Sequence, residues 1–188
     1  MILPVAVVLM TSCSSGKSGT QQVVCDSQFW NGTIAACLPT GWKVLSTDDL
    51  KSLGVPEETV TAFQSTEPRS GQLDTVTVTR ETLSQDLSSL DYSNANVLSV
   101  SALPDYKLMD KQAVYVDGKE TAIHVFSARP VPDAPVRRYY QLSAVKDRTG
   151  YTFTASFPLS VTDQQVSEIL FILKNVSFTQ KTASSSSK

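Results

Sequence analysis

Apolar and polar residues alternate along much of the chain, and this period of two is typical of half-buried β-strands. The clearest case is the segment 73–83, where Val76 and Val78 alternate with threonines at 75, 77 and 79. The same pattern predicts further strands, which are 42–45, 106–116, 121–128, 137–145 and 151–157. A strand is favoured over 59–65 as well, although Pro56 and the two glutamates after it could open a helix there.

Other segments have the period near 3.6 that is typical of amphipathic helices. Ser46 or Thr47 can cap a short helix that ends at Gly54. A helix is predicted over 88–102, since Pro104 bars its continuation, and its apolar stripe is Leu90, Ala95, Leu98 and Ala102. Thr162 caps the last helix, whose core stripe is Val166, Ile169, Leu170 and Leu173. Hairpin-linked strands with a few separated helices predict an α+β fold, with a central antiparallel β-sheet flanked by helices.

The first residues of the chain have the character of an export signal. Residues 1–12 are nearly all apolar, and they fall short of the roughly 18 apolar residues that a membrane-spanning helix needs. The small residues Thr11 and Ser12 precede Cys13, which resembles a bacterial lipobox. We therefore expect a signal peptide over 1–12, lipid modification of Cys13, and a flexible, small and polar tether over 13–22.

Cys25 and Cys37 lie on either side of a predicted hairpin. Asn31-Gly32 is a strong two-residue turn signal, and Asn31 is six positions from each cysteine. A hairpin centred there brings the two cysteines opposite each other, so the segment 23–37 is predicted to carry a disulfide. Disulfides persist in oxidising compartments, in agreement with export. The alternative is a pair of reduced, buried thiols.

The composition allows one folded core and excludes some classes of function. With 188 residues, of which 41% are hydrophobic, the chain fits a single α+β domain over 23–179, followed by a disordered serine-rich tail over 180–188. The net charge of −2 does not suit a nucleic-acid-binding protein. No metal site or cofactor is predicted, because two cysteines without nearby histidines cannot complete a zinc shell.

Short motifs in this order resemble the PsbP-like and DcrB-like lipoprotein domains. The segments that carry the resemblance are Leu38-Pro39-Thr40-Gly41-Trp42-Lys43-Val44, the hairpin Val116-Asp117-Gly118-Lys119, and the end Ile172-Leu173-Lys174-Asn175-Val176-Ser177-Phe178. The resemblance covers about residues 37–179 and implies a sheet sandwiched between helices. It also implies a domain that assists larger envelope or photosynthetic assemblies and has no shared catalytic centre. The Cys25–Cys37 hairpin is an addition to that pattern.

Candidate chemistry is sparse. His124, the one histidine, sits between Ile123 and Val125 in a predicted strand, where a structural role is more common than general-base catalysis. The densest recognition-type cluster is Arg137, Arg138, Tyr139 and Tyr140, because arginine and tyrosine are favoured at binding hot spots. An amphipathic strand with one solvated face would give the same pattern.

These observations favour an extracytoplasmic, lipid-anchored envelope protein whose domain is not an enzyme and either binds an envelope protein partner or supports an assembly. One alternative is a small-molecule or lipid carrier, which an open apolar cavity between sheet and helix would favour. Another is a hydrolase-type enzyme with a site around His124, which would require a pocket holding a carboxylate and a hydroxyl beside the imidazole.

Overall fold

The computed structural model describes residues 22–69 and 71–180. The strands are β1 (Ser27–Trp30), β2 (Ala35–Leu38), β3 (Trp42–Val44), β4 (Thr59–Ser65), β5 (Thr75–Thr82), β6 (Lys107–Val116), β7 (Lys119–Ala128), β8 (Arg137–Lys146) and β9 (Thr149–Pro158). The helices are α1 (Thr47–Ser52), α2 (Ser89–Val100) and α3 (Asp163–Lys174). The expected signal peptide, Cys13, nearly all of the tether and the residues 181–188 of the expected tail lie outside the described residues. Within the described part, no helix is long and apolar enough to cross a membrane.

The larger sheet has seven strands in the order β3-β4-β5-β9-β8-β7-β6, and every pairing is antiparallel. The turn between β8 and β9 places Asp147 and Arg148 in the left-handed region, as a tight hairpin turn requires. Strand β6 forms one edge, and its register shifts between Leu108 and Asp110, which leaves Met109 as an extra residue. The expected α+β fold with a central antiparallel sheet is confirmed.

One face of this sheet, which we call the apolar face, carries the main hydrophobic core. The helix α3 and the strand β2 cover it, and the fully buried side chains include Phe63, Phe153, Ile169 and Ile172. Thr162 caps α3 and forms a capping box with Gln165, as a helix start of this kind predicts.

The opposite face, which we call the polar face, lies under α1 and α2. The short helix α1 begins after Ser46, whose side chain accepts from the Asp49 amide, and it packs Leu50 on Leu45 and Ala62. The helix α2 packs on β7 and β8. Helices therefore flank the sheet on both sides.

The apolar stripe expected on α2 is wrong. Leu98 is 74% exposed, and the α2 residues that are buried are Ser89, Tyr92 and Ser93. The sheet beneath offers hydroxyl and amide side chains, such as Ser143 and Thr152, so the helix turns its hydrogen-bonding side inward. The polar side chains of the sheet, and not the apolar periodicity of α2, decide which side of this helix is buried.

The Cys25–Cys37 disulfide is present, with the Cα atoms 5.5 Å apart. The hairpin register differs from the predicted one, because Trp30 pairs with Ala35 and a longer loop replaces the two-residue turn. The Oδ1 atom of Asn31 accepts hydrogen bonds from the Thr33 and Ile34 amides, at 3.0 and 2.8 Å, and so stabilises that loop. Cys37 therefore lies opposite Gln28, and Cys25 precedes β1.

Candidate functional site

The polar face is left partly uncovered beside the C-terminal half of α2. The opening forms a cleft of about 410 Å³, which we call the polar cleft. Its floor and walls include Thr79 of β5, Gln141 of β8, Thr152 and Thr154 of β9, and Asn96 and Ser99 of α2. Strand alternation places these threonines on the face opposite Val78 and Phe153. The lining of the cleft thus combines neutral hydroxyl and amide groups with apolar surface.

A hydrogen-bond network organises the inner end of the polar cleft. The Asn96 amide Nδ2 donates to Ser143 Oγ at 2.9 Å and to Thr152 Oγ1 at 3.0 Å. Ser143 Oγ and Thr152 Oγ1 are themselves 3.2 Å apart, and Tyr92 Oη lies 3.2 Å from Thr152 Oγ1. These bonds join α2 to β8 and β9, so the side chains at this end are held in fixed positions.

Gln141 is the polar-cleft residue whose hydrogen bonding is incomplete. Its Nε2 donates to Thr154 Oγ1 at 3.3 Å, whereas Oε1 is buried and has no partner among the described residues. The residue is only 7% exposed. An unpaired buried acceptor lowers the stability of a protein by an amount on the order of 1–3 kcal/mol. The Oε1 atom of Gln141 can therefore still accept a hydrogen bond from a ligand.

The rim of the polar cleft carries both charge and apolar surface. Glu58, Arg80 and Glu81 supply the charges, and Pro56 and Val100 the apolar surface. The Tyr92 hydroxyl donates to Glu81 Oε1 at 2.7 Å. Burial raises the pKa of Tyr92, so its hydroxyl stays protonated and remains a donor.

His124 lies beneath α2, where it is sealed from solvent. Its Nε2 is 3.1 Å from Ser93 Oγ, and the two residues are 2% and 1% exposed. Burial, assisted by the nearby charge of Lys111, lowers the pKa of His124 to about 4, so the imidazole is neutral at physiological pH. Its Nδ1 lacks a hydrogen-bond partner within the described ranges. The serine–histidine pair has the atoms of a nucleophile and base, but no solute reaches it in this conformation.

The sheet divides the predicted Arg–Tyr cluster between its two faces. Tyr140 is buried in the main core against Phe157, so its expected place on a binding surface is wrong. Tyr139 points to the polar face and stacks on Phe126 with ring centroids 5.0 Å apart. Residues adjacent on a strand point in opposite directions, and the four therefore do not form one surface.

The two arginines of that cluster are separated in the same way. Arg137 Nε donates to Ser156 Oγ at 2.6 Å on the polar face. Arg138 pairs with Phe157 on the other side, and its buried Nε has no partner in the described part of the chain. Arg137 and Tyr139 share a face, as the strand pattern predicts, but neither is among the residues that line the polar cleft.

Sequence reasoning missed a buried ionic cluster around Glu168 of α3. Arg69 donates to both Glu168 carboxylate oxygens, at 2.8 and 3.1 Å, and Trp42 Nε1 donates at 2.8 Å. Burial acts to raise the pKa of Glu168, but the hydrogen bonds from Arg69, Trp42 and Gln164 outweigh it and hold that pKa below its ordinary value. The partners lie 126 and 99 positions away from Glu168, so no local signal could have joined them.

A second buried carboxylate, Asp74, belongs to the same cluster. It accepts two hydrogen bonds from Gln165 Nε2, at 3.0 and 3.1 Å, and lies 3.7 Å from Arg69. Burial raises the pKa of Asp74, and these two partners offset the rise only in part. Arg69 links the two carboxylates, and the bonds of Glu168 and Gln165 to Trp42, Arg69 and Asp74 fasten α3 to the sheet. Among the described residues, no group of three or more His, Cys, Asp or Glu side chains could hold a metal ion.

Comparison with known proteins identifies a shared fold. No protein-family model matches the chain, and no curated protein does. Cyanobacterial PsbP (CyanoP) from Synechocystis is similar over 86% of this chain and 97% of its own, with a TM-score of 0.55 and 14% identity. LpqN of Mycobacterium tuberculosis, which is involved in cell envelope biogenesis, matches over 78% and 83%, with a TM-score of 0.54 and 16% identity.

A variant of the protein Mog1 is similar to the same extent. It matches 81% of this chain and 95% of its own, with a TM-score of 0.54 and 10% identity. At such identities the likeness concerns the fold alone. The chain has a PsbP-like fold, to which the Cys25–Cys37 hairpin is joined at the N-terminal side.

Proposed function

We propose that this protein is an exported component of the bacterial cell envelope, anchored by a lipid on Cys13, whose folded part acts by binding and not by catalysis. The observation that carries the proposal is the Cys25–Cys37 disulfide, which belongs to an oxidising compartment. It lies directly after the segment that sequence reasoning assigns to export and tethering. Two independent features, a disulfide and an N-terminal lipobox-like sequence, thus favour the same location.

The fold supports this location by analogy. LpqN is involved in cell envelope biogenesis and has the same fold, although likeness of fold does not carry function with it. On this proposal the partner is another envelope protein, and the lipid holds the chain at the membrane where that partner resides.

The burial of His124 supports binding over catalysis. A general base must come within hydrogen-bond reach of its substrate, and His124 is enclosed between the sheet and α2. The carboxylates that are buried, Asp74 and Glu168, are occupied by Arg69, Trp42 and Gln165. A hydrolase built around His124 would first have to displace α2.

The polar cleft favours a second candidate function, that of a small-molecule binding protein. Its volume of about 410 Å³ falls within the range of roughly 300–1,000 Å³ that is usual for ligand sites. An apolar cavity was the expected mark of a carrier, and the hydroxyl-lined cleft argues for a polar ligand instead of a lipid.

The test is the intact mass of the full-length protein after expression in bacteria and extraction from membranes. We expect a chain that begins at Cys13, carries added acyl mass and gains a pair of hydrogen atoms on reduction. The matched control is Cys13→Ser, which should lose the acyl mass and keep the disulfide. A membrane-free chain that retains Met1 and has all 3 cysteines reduced would overturn both export and anchoring.

A further inference from the structure

We infer that the polar cleft binds a neutral, polyhydroxylated ligand, which is the chemistry of a carbohydrate. This inference rests on the proposed binding function and specifies the class of ligand. It concerns the cleft between α2 and the strands β5, β8 and β9, which lies on the opposite side of the sheet from α3.

The composition of the floor selects the ligand. Thr79 and Thr154 offer hydroxyl groups that can both donate and accept, and Gln141 offers an amide. The Thr152 hydroxyl beside them is already bonded to Asn96. Hydroxyl groups of a sugar also both donate and accept, so each of them can form a hydrogen bond with these side chains as either the donor or the acceptor. A purely apolar ligand would offer no partner to the buried Gln141 Oε1 and would exclude water from the hydroxyl groups beside it.

Gln141 gives the most specific indication of a ligand. Most buried polar atoms in proteins have a hydrogen-bond partner, and Gln141 Oε1 has none among the described residues. The neighbouring Asn96 and Thr152 are already bonded to Ser143 or to each other. A ligand hydroxyl that reaches the amide after a small rotation of the side chain would supply the missing donor.

The rim explains why the ligand should be neutral. Two carboxylates, Glu58 and Glu81, stand at the opening against the single guanidinium of Arg80, so an anionic ligand gains little there. Pro56 and Val100 add apolar surface that suits the C–H face of a sugar ring. Glu81 is already held by the Tyr92 hydroxyl and can accept from a ligand through its other oxygen.

Titration calorimetry on the full chain, in a detergent without a sugar headgroup, tests the inference. The probes are maltotriose, which represents free glycans, and digalactosylglycerol, which represents the headgroup of a glycolipid. We expect one of them to bind saturably with a dissociation constant below about 1 mM. The Gln141→Leu and Thr154→Val variants should each weaken that binding tenfold or more.

The matched controls are Gln28→Leu on β1 and Thr149→Val at the start of β9, which lie outside the polar cleft and should leave affinity unchanged. Thermal unfolding of each variant shows whether it folds. Failure of both probes to bind at about 10 mM, or equal affinity in Gln141→Leu and wild type, overturns the inference. Neither outcome bears on the proposed lipid anchor or on the disulfide, because the mass measurement tests those two features separately.

Discussion

The two faces of the seven-stranded sheet are built on different physical principles. On the apolar face, α3 and β2 bury a continuous hydrophobic core that includes Phe63 and Phe153. On the polar face, α2 is held by side-chain hydrogen bonds such as those from Asn96. Burial of apolar surface is favourable without directional requirements, whereas a buried polar contact stabilises only when its partners are in place. The apolar face should therefore contribute most of the stability. The contacts on the polar face should be more sensitive to pH, to small changes in geometry and to bound ligands.

The largest expected effect is on the apolar face. Phe153 is fully buried between Val78 and Leu142, and Phe153→Ala should lower the free energy of unfolding by about 3–5 kcal/mol. Urea denaturation followed by tryptophan fluorescence measures the change. Phe153→Leu, which keeps most of the apolar volume, should cost clearly less. A loss below about 1 kcal/mol for the alanine variant would mean that packing on the apolar face contributes little to stability.

The next effect is a pH dependence that comes from the polar face. The folded protein lowers the pKa of His124 from 6.5 to about 4, so the unfolded chain takes up a proton first as the pH falls. Stability should therefore be lost between about pH 6.5 and pH 4, by an amount on the order of 3 kcal/mol, and this contribution should be constant outside that window. Urea titrations at stepwise pH measure the slope.

The control for that slope is His124→Gln, which can still bond to Ser93 and does not titrate. The variant should show a flatter profile between pH 6.5 and pH 5, where most carboxylates remain charged. Identical profiles for variant and wild type would mean that His124 is not buried in its neutral form.

A smaller effect should follow from a close approach at the edge of the polar face. A Cβ atom on Gly150 would meet the Tyr92 ring. Gly150→Ala should therefore push α2 outward and lower the free energy of unfolding by about 1–3 kcal/mol. Replacing Tyr92 by leucine in the same chain should recover part of the loss in a double-mutant cycle. Additive losses would show that the two side chains do not meet.

The smallest effect is expected at the outward side of α2. Leu98 is exposed, so Leu98→Glu should change the free energy of unfolding by no more than about 0.5 kcal/mol. Thermal and urea unfolding measure it. A loss of several kcal/mol in the free energy of unfolding would mean that Leu98 is buried, as the predicted apolar stripe requires. The two faces of the sheet would then not differ in the way described.

The features that the sequence predicts well are those in which the deciding neighbours are close along the chain. Residues a few positions apart decide the hairpin link between the strands predicted over 137–145 and 151–157, the caps at Ser46 and Thr162, and the strand alternation through Val76 and Val78. The PsbP-like arrangement was expected from the resemblance of short motifs, whereas the pattern of elements by itself predicted an α+β fold with an antiparallel sheet.

The features that escaped prediction are decided by partners far along the chain. The inward face of α2 depends on Ser143 and Thr152, which lie about fifty residues away on β8 and β9. Trp42 and Arg69, which bond Glu168, are about twice as far from it along the chain. The polar cleft could not be predicted, because its threonines read as an ordinary solvated strand face. The role of Cys13 and the nature of the partner remain predictions.

The irregular edge strand β6 has a consequence for how copies of the chain meet. It is ten residues long, and within 22–69 and 71–180 no strand pairs with its outer side. Such an edge could add a strand from another molecule, the first step toward sheet polymers. The bulge at Met109 disturbs its register, the Asp110 side chain accepts from the Lys111 amide, and Lys107 and Lys111 place positive charge along it. If many copies are held at one membrane, as the proposed lipid anchor implies, these features of β6 oppose the growth of fibres from sheet edge to sheet edge.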